Sequence, residues 1–241
     1  MNVPCPMIAS LFRGVPAEPY GEVRSLFARI RQAMGGTPLE VINDGEVTAL
    51  AGSMSLEDDS ILGVEMGSSE AAGYVTPTGS LTDWLNELAF APVDYQPDAP
   101  ADEWSGDRGV GALYFSQQAV FRLAPRADIT VLTGVTDAER LKAVQEKLEA
   151  GDEGALKIWQ TIGIYLGYAL AHYADFYALK HVLILGRVTS GRGGTVILDT
   201  ANEVLRGEFP DLAAELQIQL PDEKSRRVGQ SIAAASLPKL G

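Results

Sequence analysis

The sequence predicts an α/β domain with a mixed sheet flanked by helices. Three observations carry this. Short apolar runs of strand length alternate with longer stretches of helical period. Clusters of Gly, Pro, Asp and Ser separate them. The balance is globular, with 46% of the 241 residues hydrophobic and 21% charged, enough for one large core or two small ones.

The elements follow in chain order. Residues 20–34 read as an amphipathic helix, with Val23, Leu26, Phe27 and Ile30 at i, i+3, i+4 and i+7 and a stop at Gly35-Gly36. Residues 39–43 form a short apolar strand, and 46–51 open another helix. Residues 60–66 and 72–75 are the strands of a hairpin whose connection, 67–73, is built of small residues. Thr76-Pro77-Thr78-Gly79 is a turn. Residues 83–95 are mixed, 96–111 form a loop, and 114–123 read as helix. A charged helix spans 137–150 and a strongly apolar one 154–180, which needs cover on several sides. His181 opens a buried strand, 181–186. A helix at 194–206, a strand at 215–219 and an alanine-rich helix at 229–237 complete the order.

Charge and composition exclude several roles. A net charge of −13 repels phosphate backbones and anionic lipids, so direct nucleic-acid and membrane binding are not expected. A nucleotide site remains compatible, because such sites use backbone N–H groups and helix N-termini. The single cysteine, Cys5, fits a reducing, cytoplasmic setting and rules out an intrachain disulfide. One cysteine and two histidines, His172 and His181, supply too few ligands for a structural zinc cage. The apolar run at 158–179 is broken by Gln160, His172 and Asp175, which marks a core helix rather than a membrane span. Residues 1–12 lack the basic start of a secretory leader.

Three segments could carry chemistry. Asn43-Asp44 places two polar side chains at a strand end, where α/β proteins collect ligands. Asp44 suits either a helix N-cap or a base. The small-residue loop from Gly67 through Ser68 and Ser69 lets backbone N–H groups approach a phosphate, or is simply a turn. The run from Gly186 to Gly191 follows a buried strand, as a ligand loop or an ordinary strand-to-helix connection. Trp84, Trp104 and Trp159 are read as packing residues and the acidic loop at 98–107 as solvated.

Taken in order, these segments resemble the ROK family of repressors and sugar kinases. VINDGEVTAL resembles the family's Asn-Asp-x-x-x-x-Ala-Leu segment, and LGVEMGSSEAAG its second phosphate motif. WLNELAF is similar to its Ala-Gly-Glu-x-Gly-His motif, and HVLILGRVTSG to its adenosine-side segment. The resemblance covers roughly residues 20–240. It implies an actin-like ATPase (ribonuclease H-like) fold, with 41–241 as the large C-terminal lobe and 1–40 as a remnant of the N-terminal lobe or its connection. It further implies phosphoryl transfer from ATP with Mg²⁺ to a sugar hydroxyl, once an N-terminal lobe completes the site, and a homodimer. Asp44 would then be the general base, and Asn43 and Glu87 would bind the sugar. Gly67, Ser68 and Ser69 would face the phosphates, and Gly186 and Gly191 the adenosine end.

The sequence departs from the family at definite places. The first phosphate loop, Asp-x-Gly-Gly-Thr, and the metal-binding cysteine cluster have no counterpart. Phe90 stands at the motif histidine, Asn86 at a glycine, and Ala112 at a further sugar-binding glutamate. These losses leave open a non-catalytic sugar-sensing or dimerisation domain.

Overall fold

The computed structural model describes residues 20–39, 41–82, 84–221 and 230–236. The chain divides into two compact units, Met1–Ile42 with Ala235–Gly241, and Asn43–Ala234. In the first, α1 (Tyr20–Ala33) has the amphipathic helix its spacing predicts, and it stops at glycine. Gly35 and Gly36 take φ of +73° and +80°, and the Gly36 N–H donates to the Arg31 carbonyl at 2.9 Å.

The second unit is built on a four-stranded mixed sheet. Its elements are α2 (Asp44–Leu56), β1 (Ile61–Met66), β2 (Glu70–Val75), α3 (Gln117–Leu123), α4 (Asp137–Glu149), α5 (Glu153–Tyr173), β3 (His181–Leu185), α6 (Arg192–Glu208), α7 (Pro210–Glu215) and β4 (Gln217–Gln219). A last helix, α8 (Gln230–Ser236), follows. The strand order is β2-β1-β3-β4. β1 pairs antiparallel with β2 and parallel with β3, and β3 pairs parallel with β4.

Both faces of this sheet are covered, so β1 and β3 read as apolar runs without alternation. Leu62, Val64, Met66, Ala72, Tyr74, Val182 and Ile184 join the main core with α5. Ile61, Val75 and Leu183 lie on the other face with Ala49 of α2. Small residues let α2 approach that face closely. A Cβ at Gly73 would overlap Glu46 Cα and the Gly45 carbonyl, and one at Gly45 would lie 2.7 Å from Ala72 N. The first turn of α2 therefore rests directly on the β2 backbone.

The long helix α5 starts at Asp152, whose side chain accepts the Ala155 N–H at 2.9 Å. Trp159, Ile162, Leu166, Leu170 and Tyr173 are buried, and α6 covers them with Ile197, Ala201 and Leu205. Ile164 and Tyr168 stay 43% and 46% exposed, so one face is open where the sequence suggested nearly complete cover.

Three expected boundaries are corrected. Residues 39 and 41–43 form no strand, because Asn43 already caps α2 and the chain is committed to a helix start. The hairpin connection is 67–69 rather than 67–73, because β1 pairs with β2 from Met66↔Glu70 onward. The 154–180 helix ends at Tyr173. The turn after it lets the Lys180 N–H donate to the Ser60 carbonyl at 2.9 Å, which aligns β3 with β1. Among the described residues no helix is long and apolar enough to cross a membrane.

Candidate functional site

The site is built around the start of α2. Asn43 is extended, with φ −69° and ψ 144°, and its Oδ1 accepts the Gly45 N–H at 2.8 Å. The cap is thus Asn43 rather than Asp44. Asp44 occupies the first helical position with an exposed side chain, and its Oδ1 lies 3.0 Å from the same N–H. Asp44 does not stand at the end of a strand, as expected, but at a helix N-terminus, where the positive end of the dipole favours an anion.

Glu46 stands three residues after the cap, and its buried carboxylate takes the Asn43 backbone N–H. Burial pushes its pKa up, the Asn43 hydrogen bond opposes this, and the charge of Glu87 adds to the rise. Glu65, on β1, is raised by burial and then by the charge of Asp44. Glu87 precedes the 3-10 turn Leu88–Phe90 and is raised by the same two causes. Four carboxylates, Asp44, Glu46, Glu65 and Glu87, are therefore linked by mutual repulsion. Such a group binds hydroxyl donors well, because each donated hydrogen bond relieves negative charge.

The hairpin tip lies beside this group. A Cβ at Gly67 would be 4.0 Å from Glu65 Oε1. The Gly67 N–H donates to the Ser69 carbonyl at 3.0 Å, and the Gln117 N–H donates to the Gly67 carbonyl at 2.9 Å. Ser68 and Ser69 are exposed at the tip. Gly186 brings the turn after β3 to the same hairpin. Its φ is +101°, and a Cβ there would sit 2.5 Å from the Met66 carbonyl oxygen, so a side chain is excluded twice over.

Gly191 is placed differently. It has φ +62° and packs against Glu149, where a Cβ would lie 2.5 Å from Oε1. That oxygen also accepts the Arg192 N–H at 2.7 Å, so α4 supplies the cap of α6. Glu65 thus links two groups, feeling the charge of Asp44 at the start of α2 and lying beside Gly67 of the hairpin, with Gly186 packed on the neighbouring Met66, while Gly191 turns to the end of α4.

Sequence reading missed Glu46, Glu65 and Glu70. The Asn43-x-x-Glu46 spacing of a capping box was legible, and Glu65 is the one charged residue in the β1 run. Glu70 fell inside the expected connection, so its burial had no local signal.

The departures from the family pattern have structural counterparts. The Phe90 ring packs on Trp104, with centroids 5.3 Å apart. Asn86 is buried, accepting from the Tyr177 hydroxyl at 3.1 Å and donating to Thr82 at 2.8 Å. Ala112 is buried, and its carbonyl accepts the Ser116 hydroxyl. Among the described residues, no group of three or more His, Cys, Asp or Glu side chains is placed to hold a metal ion.

No known sequence family matches the chain, and no curated protein matches it. Solved structures do. A ROK family glucokinase from Streptomyces griseus, in complex with glucose and AMPPNP, superposes with a TM-score of 0.70 at 18% identity, over 90% of this chain and 72% of that one. A ROK family transcriptional regulator, a homologue of the E. coli MLC protein, gives 0.68 at 19%, over 89% of this chain and 56% of that one. A ROK hexokinase from Thermus thermophilus gives 0.66 at 18%, over 90% and 72%. Over about 90% of its length, the chain has the fold of the ROK sugar kinases, the actin-like ATPase fold.

Proposed function

We propose that the chain is a ROK-like lobe that binds a sugar or similar polyol at the start of α2, and takes part in phosphoryl transfer from ATP when an N-terminal lobe completes the site. What supports this reading is the electrostatic coupling of Asp44 to Glu65 and to Glu87, together with the place of Glu65 beside Gly67 of the hairpin. Asn43 and Glu87 would bind hydroxyls, and Asp44 would take the proton of the hydroxyl that attacks. The tip, with its short side chains and exposed serines, fits the approach of a nucleotide phosphate chain. ATP would supply the transferred phosphoryl group, and Mg²⁺ would arrive with it. Because positioning supplies most of such catalysis, and the sequence has no Asp-x-Gly-Gly-Thr loop, the 241 residues by themselves should not turn over.

Calorimetric titration of the full-length protein with a panel of sugars, with and without AMPPNP and Mg²⁺, tests this. Saturable sugar binding that is strengthened by nucleotide is expected; no sugar binding under either condition would refute it.

A second reading, a sugar-sensing lobe without catalysis, is favoured by Glu149. Its carboxylate already occupies the Arg192 N–H at the start of α6 and puts negative charge beside Gly191. Sugar binding indifferent to nucleotide would select it. Under either reading the protein is proposed to be a cytoplasmic homodimer that does not bind nucleic acid through this chain. Sedimentation at high concentration, with a strict monomer as the refuting result, checks the assembly.

A further inference from the structure

Glu70 is the first residue of β2 and faces the main core, opposite Met66 in the strand pair. It is 5% exposed, and neither carboxyl oxygen has a hydrogen-bond partner among the described residues. A carboxylate in that position would be an unpaired buried charge. The neighbours are set by close packing. A Cβ at Gly111 would overlap Glu70 Oε2 and lie 2.6 Å from the Leu88 carbonyl oxygen, so the carboxyl and this acceptor both flank the bare Cα of Gly111. A protonated carboxyl can donate towards that carbonyl, whereas a carboxylate is repelled by it. Gly111 is tied to Ala91 by its N–H, at 2.9 Å, and the Gln117 N–H holds the Gly67 carbonyl. Glu70 is therefore wedged between the root of the hairpin and two segments, 88–91 and 111–117.

The titratable groups around it offer no positive charge. From α5 comes Tyr173, whose buried hydroxyl also has no partner among the described residues and is pushed well up by burial and then by Glu70. Tyr177, after α5, and Tyr95, in the loop before Gly111, act on Tyr173 in the same direction. The 88–91 segment carries no ionisable side chain, and Tyr114 of 111–117 donates to Asp94 at 2.6 Å. On β1 the facing residue is Met66. Burial pushes the Glu70 carboxyl up to about 8, and no Lys, Arg or His of the described residues opposes the rise.

We propose that Glu70 is a positioning residue: as the neutral acid it seats the hairpin root against 88–91 and 111–117, and losing its proton displaces Ser68, Ser69 and Glu87. The inference rests on the reading of those three residues as ligand-site groups. It gives the site an alkaline limit, opposite in sense to that of the carboxylates that accept hydroxyl hydrogen bonds.

Hydrogen exchange of the full chain, corrected for intrinsic rates, tests it without any ligand. Between about pH 7 and pH 9 the wild type is expected to lose protection about tenfold in peptides covering 67–70, 88–91 and 111–117. Glu70→Gln, neutral at every pH, should keep it. Equal loss in both proteins, or none in the wild type, overturns the proposal. Should Glu70→Gln not fold, the infrared carbonyl band of a buried protonated carboxyl in the wild type decides. Its disappearance in step with protection supports the proposal, and its absence at neutral pH overturns it. Sugar affinity should fall about tenfold over the same range in the wild type and stay level in Glu70→Gln; a parallel fall in both counts against the positioning role. Failure of both proteins to bind any sugar refutes the sugar reading, while the exchange result still decides the role of Glu70.

Discussion

Gly73→Ala tests whether close contact between α2 and β2 holds the site together. In an unconstrained strand, replacing glycine by alanine stabilises by about 0.4–1 kcal/mol, because the unfolded chain loses freedom. Here the added methyl would lie closer than 3.0 Å to Glu46 Cα, the Gly45 oxygen and Glu46 N, all of them backbone atoms of the first turn of α2. Ordinary contact begins at 3.4 Å, so the helix start must lift by about 1 Å. Overpacking of this kind costs about 1–3 kcal/mol, which exceeds the entropic gain and reverses the sign. For a domain of this size that lowers the melting temperature by roughly 2–4 °C per kcal/mol. Gly67→Ala is the control, since its nearest neighbour would be the Ser69 oxygen at 3.7 Å. Urea unfolding followed by circular dichroism should show Gly73→Ala less stable and Gly67→Ala within about 0.5 kcal/mol of wild type. Asp44 and Glu46 ride on the displaced turn, so sugar affinity should fall with Gly73→Ala as well. A Gly73→Ala protein as stable as wild type would refute the packing argument.

Other substitutions probe single groups. Asp44→Asn in the full-length protein should lower phosphoryl transfer by about 10²–10⁴ while sugar binding persists, as steady-state rates and calorimetry would show; an unchanged rate would remove Asp44 from catalysis. For Glu70, the folded pKa of about 8 lies above the ordinary 4.5, so its contribution is intact below about pH 4.5 and is lost as pH rises towards 8. Between pH 5.5 and 7.5, wild type should therefore lose about 2–3 kcal/mol relative to Glu70→Gln in paired denaturation curves. A constant gap between the two would contradict it. Trp159→Phe removes the Nε1–H bond to the Val188 carbonyl, 2.9 Å long in the core, and should cost about 1–3 kcal/mol in urea melts. No measurable loss would mean that the turn after β3 does not depend on that bond.

Much of the architecture is written locally. The 3.6-residue period of α1, the acidic start of α4 and the apolar run of β3 each hold within one window of sequence, so their identity needs no partner. The 39–43 run is a case where one local rule overrides another. Its apolar residues suggested a strand, but Asn43-Asp44-Gly45-Glu46 is also a helix cap, and the cap prevailed. Residues 70–73 went the other way. Glu-Ala-Ala-Gly has little strand propensity, yet it pairs with β1 because that strand offers its hydrogen bonds and α2 covers its other face.

The sequence by itself determined the α/β class, the acidic surface and the small residues at the hairpin, all of which are properties of composition or of near neighbours along the chain. It suggested a strand end at Asn43-Asp44, where the structure has the start of α2. Only the tertiary structure decided that Asp44 acts electrostatically on Glu65 and Glu87, that Glu149 caps the start of α6, and that Glu70 is sealed in the core. Charge repulsion and desolvation depend on distances through space, and those are set by how closely α2 settles onto the sheet through Gly45 and Gly73.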